Sequence, residues 1–425
     1  MGIKKRVVTD ETGKGILEQL KIMNSRTGRS YILYGFQIDE NESNPASAVI
    51  YLEDAVGMEP AKMDYTNGVF NYGSWKEAFF MPRPCMVKSN GLVDYYLNPD
   101  DYTKKADGSA SDVGSEAYDG NAMMEWGRNG QQIWYKVDPT NKRFYVSNIQ
   151  VDGTYHAWSF INNQGVLVDH FYTAIYNGFK DTNNKMRSLS GKAISESLTA
   201  SAEITACELN NSGTEKLWYT DVFADRILIN ILLVLMGKSL NTQAVFGRGL
   251  DSGAQTAMEA YVTGSLNNKG MFFGYNDGTH GVKVFGMENW WACQWRRTAG
   301  LCIKDGTIKY KLTYGTQDGS AATAYNTTGA DYIDTTVAPD GTSGGYINKM
   351  EFTSLGAMLP KTASGTSTTY YCDGLWFNNS ANTYALFGGS SADGASDGAF
   401  YCCLHHTASV AYWNYGCALS LKPLA

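Results

Sequence analysis

Apolar positions along this chain come in short aromatic bursts rather than in long periodic runs. After a polar start, Ile16, Leu17, Leu20 and Met23 form an amphipathic patch. Tyr31–Phe36 is a brief strand-like run, followed by the loop Asn41–Pro45. From residue 65 onward Phe79–Phe80, Tyr95–Leu97, Ile133–Val137 and Phe144–Val146 alternate with Gly, Asp, Asn and Ser turns, a pattern of short strands and tight connections. One stretch differs. Between Lys216 and Gly237, Leu217, Val222, Ile227, Ile229, Leu232, Leu233 and Leu235 surround most of a helical circumference, so a buried helix is predicted there with Gly237 as its stop. Residues 102–121 read as a polar surface loop, and 315–350 and 362–369 as Gly/Ser/Thr/Ala-rich loops. The expected fold is α+β, with short strands, few helices and many ordered loops. Residues 1–64 are too polar for a large core and predict an attachment or oligomerisation segment, with 65–425 as the main domain.

Composition narrows the function. The chain has 425 residues, a net charge of −7, 13 % aromatic and 18 % charged residues. That balance argues against nucleic-acid binding, which needs clustered Lys and Arg, and disfavours an anionic membrane surface. The longest apolar run, Ile227–Met236, is about half a membrane span. The start, Met1–Asp10, lacks the apolar core of a secretion signal, so folding in a cytoplasm without membrane insertion is expected. Eight cysteines stand without a single CxxC spacing, which predicts reduced thiols rather than a zinc cluster.

The terminal segment is the oddest part. Residues 362–421 contain no Lys, Arg, Glu, Gln, Met, Ile or Pro, yet hold four of the eight cysteines and two of the five histidines. At the whole-chain frequency about five Lys plus Arg would be expected there. Tyr and Trp give rigid amphipathic area while Ser, Asn and Gly adapt, so this palette suits a contact surface. Leu386, Phe400, Leu404, Trp413 and Leu419 are expected to bury a platform, with Gly388, Gly389, Gly394, Gly398 and Gly416 making its turns. Period-two alternation would then project Tyr384, Ser391, Ser396, Asp397, Tyr401, Cys403, His405, Tyr412, Asn414 and Tyr415 toward a ligand.

Several segments carry a resemblance as an ordered set. Phe246-Gly-Arg-Gly-Leu250, the aromatic knot Gly286–Leu301 around Asn289-Trp290-Trp291, and the closing segments Phe387–Gly394, Gly398–Phe400 and Ala411–Leu419 resemble the formylglycine-generating-enzyme version of the C-type lectin fold. Tyr96–Ser109 and Arg187–Lys192 are similar to phage tail proteins carrying that fold. The resemblance runs from about residue 65 to the end. It implies a phage or prophage tail-tip receptor-binding protein, commonly trimeric, that joins other tail proteins through its N-terminus and binds a bacterial-surface protein or glycan. The members that this tail resembles most include the variable proteins of diversity-generating retroelements. There, adenine-directed mutation of AAY codons cannot yield Lys, Glu, Gln, Met or Trp. Residues 362–421 lack the first four, and Trp376 and Trp413 would come from fixed codons.

The chemistry-bearing residues weigh toward binding. Where family members often show Gly-Asn and Glu-Trp in the knot, this chain has Ala292-Cys293 and Arg296-Arg297, which speaks against a calcium or catalytic role carried over from them. In a strand, Cys403 and His405 share one face while Cys402 and His406 share the other, so these four do not converge on a metal. Cys293 and Cys302 lack the pattern around the oxidase cysteine pair. No nucleophile elbow or HExxH motif appears. The expectation is a non-enzymatic adhesion protein without cofactor or metal. The alternative is a virion-associated glycan hydrolase or a formylglycine-type oxidase, the former because Asp373, Asp393 and Asp397, the only charges in the terminal segment, could supply a carboxylate pair.

Overall fold

A computed structural model describes residues 28–253, 258, 261–313, 332–340 and 344–424. The amphipathic patch at residues 16–23 and most of the 315–350 stretch lie outside the described residues. Three α-helices are present among them, α1 (Ala200–Glu208), α2 (Phe223–Gly237) and α3 (Thr242–Phe246), set among many short strands. The fold is thus a β-rich α+β arrangement.

All fifteen residues of α2 are buried. The helix begins seven residues later than its apolar pattern predicts, because Trp218–Thr220 is drawn into a strand paired with Leu419–Leu421. It ends at Gly237, as predicted. Lys238, not Gly237, takes the left-handed conformation (φ 48°), and its N–H bonds to the Val234 carbonyl. Gly237 serves packing instead, since a Cβ there would meet Val245 Cγ1 at 2.9 Å.

Three sheets position the rest. The largest runs in the order 218–220, 419–421, 171–174, 120–126, 83–88, 93–98, 101–105, and every residue of its strand Gly120–Trp126 is buried. The expected loop 102–121 is therefore partly strand: Asp101–Lys105 pairs back on Val93–Asn98, and Tyr102 is fully buried with its hydroxyl on the Gly286 carbonyl. A second sheet, in the order 49–53, 33–38, 143–147, 134–138, joins the early chain to the middle. Ile32, Tyr34, Phe36 and Ile38 enter the same core as α2, and Tyr51 donates to the Leu235 carbonyl at 2.7 Å. The packing draws no boundary at residue 64, because residues 32–63 supply part of one continuous core. A third sheet, taken up below, carries the terminal segment.

The Trp knot closes the core. Trp290 and Trp291 are buried, as core packing of the indoles requires. The Trp290 indole N–H donates to Asn230 Oδ1 at 3.0 Å, and Asn230 in turn donates to the Ala399 carbonyl at 2.7 Å. One helical amide thereby ties α2 to both the knot and the terminal segment. Asn230→Ala strands two buried polar groups, and unfolding by denaturant should show a loss of about 2–4 kcal/mol, with each orphaned group costing ~1–3 kcal/mol.

Candidate ligand-binding groove

The third sheet runs in the order 344–346, 374–377, 402–404, 386–387, 295–297, 415–416, so the terminal segment is woven around one strand of the Trp knot. Close backbone approach makes this possible. Gly389 (φ 85°) leaves room for Asp397, whose Oδ1 would lie 1.7 Å from an added Cβ. Gly416 has no positive φ; it clears Gln294, which a Cβ would meet at 2.2 Å.

On the surface of this sheet lies a groove of about 510 Å³ lined by Trp295, Trp376, Asp393, Cys403, His405, His406, Tyr412, Trp413, Asn414 and Tyr415. Nine of these ten come from residues 362–421; only Trp295 does not. The rings form a continuous set: His405 and His406 centroids lie 4.7 Å apart, His406 and Tyr412 5.6 Å, and Tyr412 and Tyr415 5.1 Å. Trp376 and Tyr412 are 46 % and 48 % exposed. A larger cleft of about 640 Å³ opens elsewhere, between residues 37–41, 140–142 and 349–362. Much of its charge is internally paired, Glu40 with Lys142 at 2.6 Å and Glu351 with Lys361 at 2.8 Å, and aromatic side chains are absent from its lining.

The groove gathers Cys403, His405, Tyr412, Asn414 and Tyr415 from the predicted contact set. Ser396 is half-buried at its own turn, bonded to the Asp393 carbonyl. The remaining four are corrected. Tyr384, Ser391, Asp397 and Tyr401 are each 1 % exposed or less. Alternation fails for them because none lies in a strand: the strands here are two to four residues long, and these four residues sit in the buried connections between them. Of the expected platform, Leu386, Phe400, Leu404 and Leu419 are buried, whereas Trp413 lines the groove. The strand Cys402–Leu404 ends before the histidines, so His406 joins His405 at the groove rather than facing the core. Trp295, Trp376, Asp393, His406 and Trp413 are groove residues that period-two reasoning missed. Trp376 and Trp413 had a signal, being large rings in an otherwise small-residue segment.

Trp376 is held from below. Its indole N–H donates to the Tyr401 hydroxyl at 2.5 Å, and its ring lies over Gly344, where a Cβ would come within 2.6 Å. Trp295 and Tyr401 hydrogen-bond the Asp393 carboxylate, and Asp393 also accepts from the Ser390 N–H at 2.9 Å. Burial nonetheless pushes the Asp393 carboxyl up, against those hydrogen bonds. Asp397 and Asp373 behind it are pushed well above the ordinary carboxylate range, chiefly by burial; for Asp397 the neighbouring carboxylates Asp393, Asp251 and Asp373 add to this.

A buried ion pair sets the back of the groove. Arg297 Nε lies 2.8 Å from Glu203 of α1, with both side chains 1 % exposed. The guanidinium also donates to the Leu198 carbonyl at 2.7 Å and the Val410 carbonyl at 2.6 Å, and packs on Tyr415 at 5.4 Å. Burial lifts Glu203 to about 7, opposed by Arg297. Burial likewise lifts Asp221 to about 6, opposed by Arg296 and Arg226. His406 is lowered by burial first, then by His405 and Arg297, which keeps it neutral at pH 7.

All eight cysteines are buried and free, with Cys207 and Cys417 sulfurs 3.8 Å apart. Burial pushes the Cys293 and Cys403 thiols up to about 12, away from the thiolate form that a nucleophile needs. Among the described residues no group of three His, Cys, Asp or Glu is placed to hold a metal ion, and no helix is long and apolar enough to cross a membrane. No protein-family model matches the chain, and no curated protein matches it.

Both acids of this network bind protons more tightly folded than unfolded. Their contribution to stability is present below pH ~4 and falls as pH rises through about 6 and 7. Denaturation series from pH 4 to 8 should show that decline, shallower in Glu203→Gln. Glu203→Ala leaves the Arg297 charge buried and unpaired, and should cost about 3–5 kcal/mol. Gly344→Ala, by contrast, should preserve the fold while lifting the Trp376 ring, visible as a changed near-ultraviolet circular dichroism signal.

Proposed function

We propose that this protein is a receptor-binding adhesion protein of a phage or prophage tail, and that the aromatic groove is its ligand-binding surface. The observation that carries this reading is the origin of the groove: nine of ten lining residues belong to the compositionally restricted segment 362–421. The fold it would represent is the C-type lectin-like, formylglycine-generating-enzyme type to which the knot and closing segments bear resemblance. Its partner is a bacterial-surface protein or glycan. Trimerisation would multiply individually weak sites by avidity. Attachment to other tail proteins falls to the N-terminal portion, and the working location is the virion tail tip.

Separation of frame and rim supports the reading. Frame residues are locked by buried pairs and glycine contacts, while Trp376 and Tyr412 stand half in solvent. The groove holds one carboxylate, Asp393, whereas glycoside hydrolysis needs a facing pair. That supports binding over turnover.

The test is adsorption. Purified Trp376→Ala/Tyr412→Ala protein, checked for native circular dichroism, should bind cells of a strain recognised by the wild type at least about tenfold more weakly, the loss expected when exposed aromatic hot spots are truncated. Equal binding by the variant, or release of reducing sugar from envelope glycan by the wild type, would overturn the proposal.

A further inference from the structure

The groove carries a charge imbalance that narrows what it can hold. Residues 362–421 supply three Asp and neither Lys nor Arg. Asp393 faces the groove, while Asp397 and Asp373 are fully buried. Neither carboxylate oxygen of Asp397 has a hydrogen-bonding side chain. Arg297, which packs on Tyr415, cannot balance them toward solvent, being 1 % exposed and engaged with Glu203 and two backbone carbonyls. No Lys or Arg lines the groove.

Each ligand class meets this surface differently. A phosphate, a sialic acid or any other anion finds carboxylates and ring faces, both repulsive. A neutral sugar could stack on Trp376 and Tyr412 but would bring no positive charge to Asp393, the one acid of the segment that lines the groove. A compact cation gains from both, since ring faces attract positive charge and Asp393 stands in the groove wall with no Lys or Arg beside it. Exposed Thr407 and Ser409 follow His405 and His406 in the chain, their hydroxyls 3.0 Å apart. A groove of about 510 Å³ is roomy for one long side chain and its neighbours.

Resting on the receptor-binding reading above, we propose that the groove captures a basic side chain, Lys or Arg, presented by a protein on the partner surface. The alkyl stem lies along Trp376 and Tyr412, and the charged head points to the Asp393 end.

The experiment measures binding of Nα-acetyl-lysine methylamide and Nα-acetyl-arginine methylamide to the full chain by saturation-transfer NMR and calorimetry. The controls are the uncharged norleucine analogue, choline chloride and N-acetylglucosamine. At least one basic derivative should bind about tenfold more tightly than norleucine, and added salt should erode that margin. Asp393→Asn and Trp376→Ala should each bring it down to the norleucine level. Should Asp393→Asn lose its native circular dichroism, Trp376→Ala, half exposed in the folded protein, carries the comparison alone. Equal binding of norleucine, tighter binding of choline, tighter binding of the sugar, or lysine and arginine binding untouched in the variants would each overturn the proposal.

The two levels fail separately. If no basic derivative binds but Trp376→Ala/Tyr412→Ala still loses cell adsorption, the basic-side-chain inference falls and the receptor-binding reading stands. If the derivatives bind as expected while that double variant adsorbs like the wild type, the groove is a cation site and the receptor reading falls.

Discussion

The buried pair between Glu203 and Arg297 is the constraint on which the rest of the groove depends. Two charges with 1 % exposed side chains are costly to desolvate, and their attraction repays that cost only when further hydrogen bonds complete the site. Here those bonds go to the Leu198 and Val410 carbonyls, on two separate connections. The pair therefore does more than join α1 to the strand Trp295–Arg297. It fixes the loop that presents Tyr412 and sets the position of Tyr415 by its ring contact with the guanidinium. A purely apolar substitute could match the packing but would leave Val410 and Leu198 without donors.

Around that pair the molecule divides labour between frame and rim. The frame consists of α2, the Trp knot and short strands joined by buried amides such as Asn230. Glycines at Gly344, Gly389 and Gly416 let a ring, a carboxylate and a side-chain amide approach the backbone closely. The rim consists of side chains whose removal exposes no buried polar partner, Tyr412 above all. Such an arrangement tolerates change at the rim, because the contacts that hold the fold lie one layer below. Cys402 and Cys403 illustrate the layering: adjacent in sequence, one belongs to the main core and the other to the groove wall.

Much of this was legible before any coordinates. The α+β class with short strands, the buried helix near residues 223–237 and the burial of Trp290 and Trp291 all follow from periodicity and turn chemistry. The terminal segment stood out by its missing residue types, and it supplies nine of the ten residues that line the aromatic groove. The assignment of individual side chains was less so, for physical reasons. Period-two alternation presumes strands long enough to keep their phase and one face open to water. Cys402–Leu404 is too short to carry the phase to His406, and Tyr384 and Tyr401 sit in buried connections just before the strands Leu386–Phe387 and Cys402–Leu404. Arg297 and Glu203 were invisible as a pair because 94 residues separate them, and a charged residue announces its burial only through its partner. The start of α2 was masked by Trp218–Thr220, which is apolar enough to extend the helical pattern but is claimed by the strand Leu419–Leu421.

The central claim is that ligand is met at the aromatic groove and nowhere else on the described surface. The most direct measurement is hydrogen–deuterium exchange of the intact protein with and without bacterial envelopes that it binds. The account predicts slowed exchange confined to residues 374–377, 402–406 and 410–416, with the cleft formed by residues 37–41, 140–142 and 349–362 unchanged. Protection of that cleft with the groove unaffected would contradict it.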